Sequence, residues 1–172
     1  MPDISVAPRL SRDVMLNVAR HLVVDMPTEE AQSLLSEWRW FIGEEKRVFL
    51  VSASGDLFLT GSDGKVFWLE TGSGRLAEVA SSLSDFEAAL ANEAKKQEWL
   101  HAHVVEALRD NGVLLGPGQC YGFCMPAVLG GAYDGDNRVA VTAREHFGFT
   151  GYLHGKMKDL PDGTQVRLKW VD

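Results

Sequence analysis

The residues of this chain best equipped for chemistry crowd into one stretch, GPGQCYGFCMPAVLGG at 116–131, which holds both cysteines, five glycines and two prolines. Three uses suit such a stretch: a phosphate loop, a metal centre, or plain scaffold in which the glycines serve the backbone. A phosphate loop needs glycines at fixed offsets, so that the chain turns tightly and aims its amides at an anion from a helix N-terminus. Gly116, Gly118 and Gly122 miss the G-x-G-x-x-G spacing by one residue, and no Lys-Ser or Lys-Thr pair follows. Structural zinc needs four ligands, usually as two close pairs. Cys120 and Cys124 supply one pair, in a segment too rich in Gly and Pro for a helix, and His101, His103, His146 and His154 supply no second one. On a helix, His101 and His103 point roughly 200° apart.

Other chemistries fare no better. Asp134, Asp136 and Glu145 occupy positions of a calcium-loop template, but Val139 stands where the sharp turn needs glycine, and a strand pattern fills the middle. There is no nucleophile on a glycine-flanked elbow and no H-E-x-x-H. His146 and His154 are about two helical turns apart, a spacing that packing explains as well as acid–base work. The expectation is therefore no catalytic residue, no metal and no cofactor. A non-enzymatic alternative is a small-molecule or peptide sensor with Tyr121, Trp68, Trp99 and His154 around a pocket.

These residues need elements to hold them. MPTEEAQSLLSEWRWFIGEE reads as one helix with Thr28 as cap, Glu29 and Glu30 in the first turn, and Gly43 as stop. The next segment alternates short apolar runs with Ser-Gly-Asp, Asp-Gly and Gly-Ser-Gly turns, so an antiparallel meander with strands near 48–53, 56–60, 65–70 and 75–79 is expected. Ser84 with Glu87 has capping-box spacing, and the helix it opens is expected to run to Gly112 with a break near Asn92. NRVAVT reads as a strand, AREHFGFTGYLHGKMKDL as a helix, and TQVRLKWV as a closing strand after the turn at Pro161 and Gly163. Strands and helices fall in separate runs, which gives α+β: one domain, a β-meander with flanking helices and further C-terminal strands.

The 172 residues, 45% hydrophobic, are enough for one well-filled core. No apolar run approaches the roughly 18 residues a membrane span requires, and the N-terminus lacks the pattern of a secretion signal. Two cysteines make no disulfide framework, so a reducing compartment, the cytoplasm, is the expectation. A net charge of −7 disfavours direct binding to nucleic acid, because that affinity comes from lysine and arginine neutralising phosphates.

Read in order, WRWFIG (38–43), SASGDLFL (52–59), GKVFWLETGSG (64–74), GQCYGFCMPAVLGGAYDGDN (118–137) and HFGFTGYLHGKMKDLPDGTQV (146–166) resemble a family of bacterial immunity proteins. That family protects cells from DNase effectors delivered by type VI secretion. It was long described as a domain of unknown function and is similar to GAD-like domains and, more distantly, to the SUKH superfamily. The resemblance implies an N-terminal extension (1–27) before a single immunity-type domain (28–172), with a GAD-like part at 28–112 and a C-terminal motif region at 113–172. It brings no catalytic residues. It implies a protein toxin as partner, and an acidic chain suits a nuclease whose groove is basic. Candidate contacts are Glu29, Glu30, Glu44, Glu45, Asp134 and Asp136. Tyr121, Gly122, Pro126, Gly130, Gly131, Asn137, Pro161 and Gly163 are expected to organise the scaffold. The oligomeric state is left open.

Overall fold

Between Arg47 and Ala80 the chain reverses three times, because a glycine in each turn takes the positive φ that a tight reversal demands. Gly55, Gly64 and Gly74 sit at φ 90°, 78° and 67°. The strands β1 (Arg47–Val51), β2 (Leu57–Thr60), β3 (Val66–Glu70) and β4 (Arg75–Ala80) pair antiparallel in sequence order. These come from a computed structural model that describes residues 8–169.

Period-two geometry sends successive side chains of β2 to opposite faces, and both faces are covered. Leu57 and Leu59 join one apolar cluster with Leu35, Trp38, Leu69 and Phe147. Phe58, between them, joins a second with Trp68, Phe86 and Trp99. The first face is covered by α2 (Thr28–Ser33), a 3₁₀ turn at Ser36–Trp38, α3 (Arg39–Ile42) and the late helix α7 (Ala143–Met157). The second is covered by α1 (Arg12–Val18), α4 (Leu83–Leu90) and α5 (Glu93–Leu100). Burying one side chain the size of Phe58 is worth about 1.5–3 kcal/mol, so β2 is the fold's central anchor. A smaller cluster of Ala53, Val105, Leu108 and Tyr121 ties α6 (Ala102–Asp110) to a two-stranded sheet, β5 (Gln119–Phe123) with β6 (Arg138–Thr142).

The meander and the break at Asn92, whose side chain caps α5 by accepting from the Ala94 amide at 2.9 Å, lie where the sequence puts them. Several other elements differ. The expected helix over 28–42 is broken at Leu34 and Leu35, and Gly151 of α7 comes close to the 3₁₀ turn that follows: a Cβ on it would lie 2.7 Å from the Glu37 carbonyl oxygen. The 3₁₀ turn lets Trp38 point inward and donate from Nε1 to the Phe147 carbonyl at 3.0 Å. Thr28 is the first helical residue and Pro27 the cap. The cap of α4 is Ser82, still extended at φ −155° and accepting from the Asp85 amide at 3.1 Å, while Ser84 lies inside the first turn. His101 takes a left-handed conformation, φ 48°, and splits the second helical run once more. TQVRLKWV forms no strand over 164–169, which is exposed and pairs with no described strand, and its last residues lie outside the described ones. Residues before 28 share in the packing: Leu22 bridges Ser52, and the Ala53 amide donates to the His21 carbonyl at 2.7 Å.

Candidate functional site

Two tight turns of the meander, β1–β2 and β3–β4, end against the C-terminal half, and this contact gathers the buried polar side chains. Gly55 leaves no room for a Cβ, which would lie 2.5 Å from His146 Nε2; at Gly72 it would meet the Tyr133 hydroxyl at 2.7 Å and at Gly74 the His154 Nδ1 at 2.6 Å. Side chains of β6, α7 and the loop before β6 thus close directly onto bare backbone.

Asp56 sits at the centre, 3% exposed. Its carboxylate accepts from Trp68 Nε1 at 3.1 Å and from the Thr71 amide at 2.9 Å, and His101 Nε2 lies 3.5 Å away. The Gly55 carbonyl can only accept, so His146 carries its hydrogen on Nε2 and donates to it at 2.8 Å. The Thr71 hydroxyl donates to the same carbonyl at 2.7 Å. His154 Nε2 likewise donates to the Thr71 carbonyl at 2.9 Å. Arg138, 6% exposed, donates from Nη1 to the Ser54 and Tyr121 carbonyls at 3.0 and 3.2 Å and lies over the Phe123 ring.

Burial sets the electrostatics. It pushes His146 down to about 4, against the smaller opposing effects of the Gly55 carbonyl and Asp56. His154 moves down for the same reason. The Tyr133 hydroxyl is raised to about 12 by burial first and by Glu70 next, and burial raises the Cys120 thiol. At neutral pH the histidines are uncharged donors and the thiol is protonated. The Asp56 carboxylate, the Thr71 hydroxyl and His146 Nε2 are engaged inside the protein, and the cavity beside Thr71 and His146, about 20 Å³, has room for roughly one water. The arrangement joins two halves of a fold. It presents no nucleophile to a substrate.

The glycine-rich stretch is built around one side chain. Asn137 Nδ2 donates to the Met125 and Ala132 carbonyls, both at 2.8 Å, and its Oδ1 accepts from the Met125 amide at 2.8 Å, closing the loop between β5 and β6. Pro126 caps a short 3₁₀ turn, Gly130 follows it at φ 95°, and a Cβ on Gly131 would fall on the Met125 carbonyl oxygen. Tyr121 is buried and donates to the Val113 carbonyl at 2.6 Å; Gly122 lies mid-strand where Val141 and His146 approach. Pro161 and Gly163 make an exposed turn in which the Thr164 amide returns to the Pro161 carbonyl at 3.1 Å.

The acidic candidates sit on separate segments. Glu29 is exposed and Glu30 half-buried on α2; Glu44 and Glu45 are exposed after α3, with Glu44 3.5 Å from Arg39 Nε. Asp134 and Asp136 are exposed in a loop whose Gly135 rests near Leu108 of α6. The four residues of the sensor alternative are dispersed: Trp68 and Trp99 pack in the second core, Tyr121 in the small cluster, and His154 against Trp38. Their rings are used in packing, so they line no common pocket. Among the described residues, no group of three His, Cys, Asp or Glu could hold a metal, and no helix is long and apolar enough to cross a membrane.

The sequence reading passed over Asp56, Thr71, Arg138 and the pairing of His146 with Gly55. Asp56 looked like one more turn residue and Arg138 like the polar start of a strand, and only distant partners reveal them as buried. A more open feature lies elsewhere, a groove of about 1250 Å³ between Trp40 and Phe41, Val128 and Leu129, and the segment 160–168.

Fold and site together describe an α+β protein with a structural polar interior and an open apolar groove. Residues 80–154 match the family described as T6SS immunity protein Tdi1, C-terminal. Over these residues the chain is thus similar to the C-terminal region of a type VI secretion immunity family, the family its motifs resemble. No curated protein matches it. Among solved structures, one from Agrobacterium tumefaciens, described as the crystal structure of Atu4351, shares the fold: 14% identity, TM-score 0.54, covering 84% of this chain and 82% of that one.

Proposed function

We propose that this chain is a non-enzymatic immunity protein that binds a cognate type VI secretion toxin in the cytoplasm and blocks it stoichiometrically. The family match over 80–154 carries the reading. The net charge of −7 favours a nuclease as the toxin, because a groove that holds nucleic acid is basic and an acidic binder gains association rate by steering. Glu29, Glu30, Glu44, Glu45, Asp134 and Asp136 are the contacts proposed for the toxin. The polar cluster around Asp56 and His146 offers no competing reading, since its hydrogen bonds are internal.

The test is co-expression with toxin domains encoded beside the gene. One of them should be neutralised through a tight complex with no substrate turned over by this chain. In stopped-flow mixing, raising salt from about 0.05 to 0.5 M should slow association far more than it speeds dissociation. A salt-independent association rate removes the electrostatic argument for a nuclease, and failure to bind any neighbouring toxin domain removes the immunity reading.

A further inference from the structure

Large apolar side chains are exposed around a single groove: Trp40 (45%), Phe41 (40%), Met125 (51%), Leu160 (42%) and Leu168 (42%). Scattered exposed hydrophobes are ordinary, but a contiguous set lining one concavity marks a binding surface. At about 1250 Å³ the groove exceeds the roughly 300–1,000 Å³ of small-molecule sites, so a stretch of polypeptide fits it better than a metabolite.

Its charge is opposite to that of the chain. Lys158 and Arg167 line it against the single carboxylate of Asp162, with Lys169 next along the segment, whereas the whole protein carries −7. Lys158 is 3.2 Å from Asp159 and lies over the Trp40 ring, but Arg167 and Lys169 form no ion pair among the described residues. One wall also has free backbone. Along residues 164–169, Val166 and Leu168 alternate with Arg167 and Lys169, and no described strand pairs with them. An unpaired segment with this alternation can take up one more strand. The opposite wall is already fixed, since Trp40 stacks on Trp38 at 6.5 Å and its Nε1 approaches the Gly151 carbonyl at 3.4 Å. A rigid aromatic that loses little freedom on binding is a typical energetic anchor.

We propose that this groove seats an extended segment of the toxin that is apolar on one side and acidic on the other, its apolar side chains against Trp40 and Phe41 and its carboxylates toward Lys158, Arg167 and Lys169. The inference rests on the immunity reading and adds a second contact region of opposite sign to the acidic residues named there.

The experiment uses the toxin domain that the full-length wild-type chain neutralises. Calorimetric titration should show Trp40→Ala binding about tenfold or more weakly, as a central aromatic anchor does when truncated. Arg167→Glu should bind several-fold more weakly at low salt. Arg167 is in an exposed, unpaired segment, so this variant should melt like the wild type and keeps the test valid even if Trp40→Ala is less stable. A zero-length carbodiimide cross-linker should join Lys158 or Lys169 to aspartate or glutamate of the toxin. Unchanged affinity for both variants, or complexes cross-linked only through the acidic residues of this chain, overturns the groove and leaves the immunity reading intact. Absence of binding by the wild-type chain overturns both.

Discussion

The contact around Asp56 and the groove beside Trp40 use opposite means. At the first, polar groups are buried, paired and enclosed by glycines that tolerate no added atom; at the second, apolar groups are exposed beside a segment that pairs with no described strand. Buried polar groups with all partners supplied define one arrangement, because each lost bond leaves an unsatisfied group in a low dielectric. Exposed apolar groups gain by being covered. Chemistry-bearing residue types here are therefore a sign of architecture, and the plain hydrophobic ones a sign of interaction.

Substitutions can test that contrast, beginning with the most severe. Gly131→Ala puts a methyl on the Met125 carbonyl and against Asn137, backbone that cannot move without opening the loop; a loss of roughly 3 kcal/mol or more is expected in chemical denaturation. A melt like the wild type's would show that the Asn137 loop is not rigid.

Acid is next. The neutral His146 is favoured in the fold, since burial holds it near 4 against an ordinary 6.5, so the unfolded chain binds the extra proton first as pH falls. Stability is complete above 6.5, declines as pH drops through the interval, and levels off for this residue below about 4. The full difference is on the order of 3 kcal/mol. Urea midpoints at several pH values should show this slope, and His146→Gln should flatten it; a slope unchanged in that variant assigns the effect to other groups.

Gly130→Ala is milder. A Cβ there meets nothing within 4 Å, and only the positive φ of 95° penalises it, at about 1 kcal/mol. For a chain of this length that lowers the melting temperature by roughly 2–4 °C. If it equals Gly131→Ala, close approach is not what separates the two neighbours. Leu168→Ser should be smallest for stability, within about 0.5 kcal/mol, since the residue packs in no core; a larger loss would place segment 164–169 in the folded body.

Legibility in the sequence followed the range of the cause. The meander could be read because alternation and turn glycines are local, as could α7 despite its glycines. Gly151 and Gly155 proved to be where Glu37 backbone and Trp40 come close, which no pattern within α7 announces. β5 was missed because Gly122, needed for the approach of Val141 and His146, made the stretch look irregular. The closing strand failed for the converse reason: 164–169 has the alternation of a strand, but a strand also requires a partner, and no described strand pairs with it. The acidic candidates followed from charge and expected exposure alone, and neither signal points to Trp40 and Phe41.

The bond from His146 to the Gly55 carbonyl spans 91 residues, and Arg138 reaches back 84 to Ser54. A ribosome adding about 5–20 residues per second needs roughly 5–20 s to travel from one to the other. Throughout that interval the meander's turns have been made and their polar partners have not. Nascent chains should therefore gain protease resistance in one late step, after α7 has left the exit tunnel, and a cell making this protein would carry a pool of unprotected chains whose size is set by translation speed.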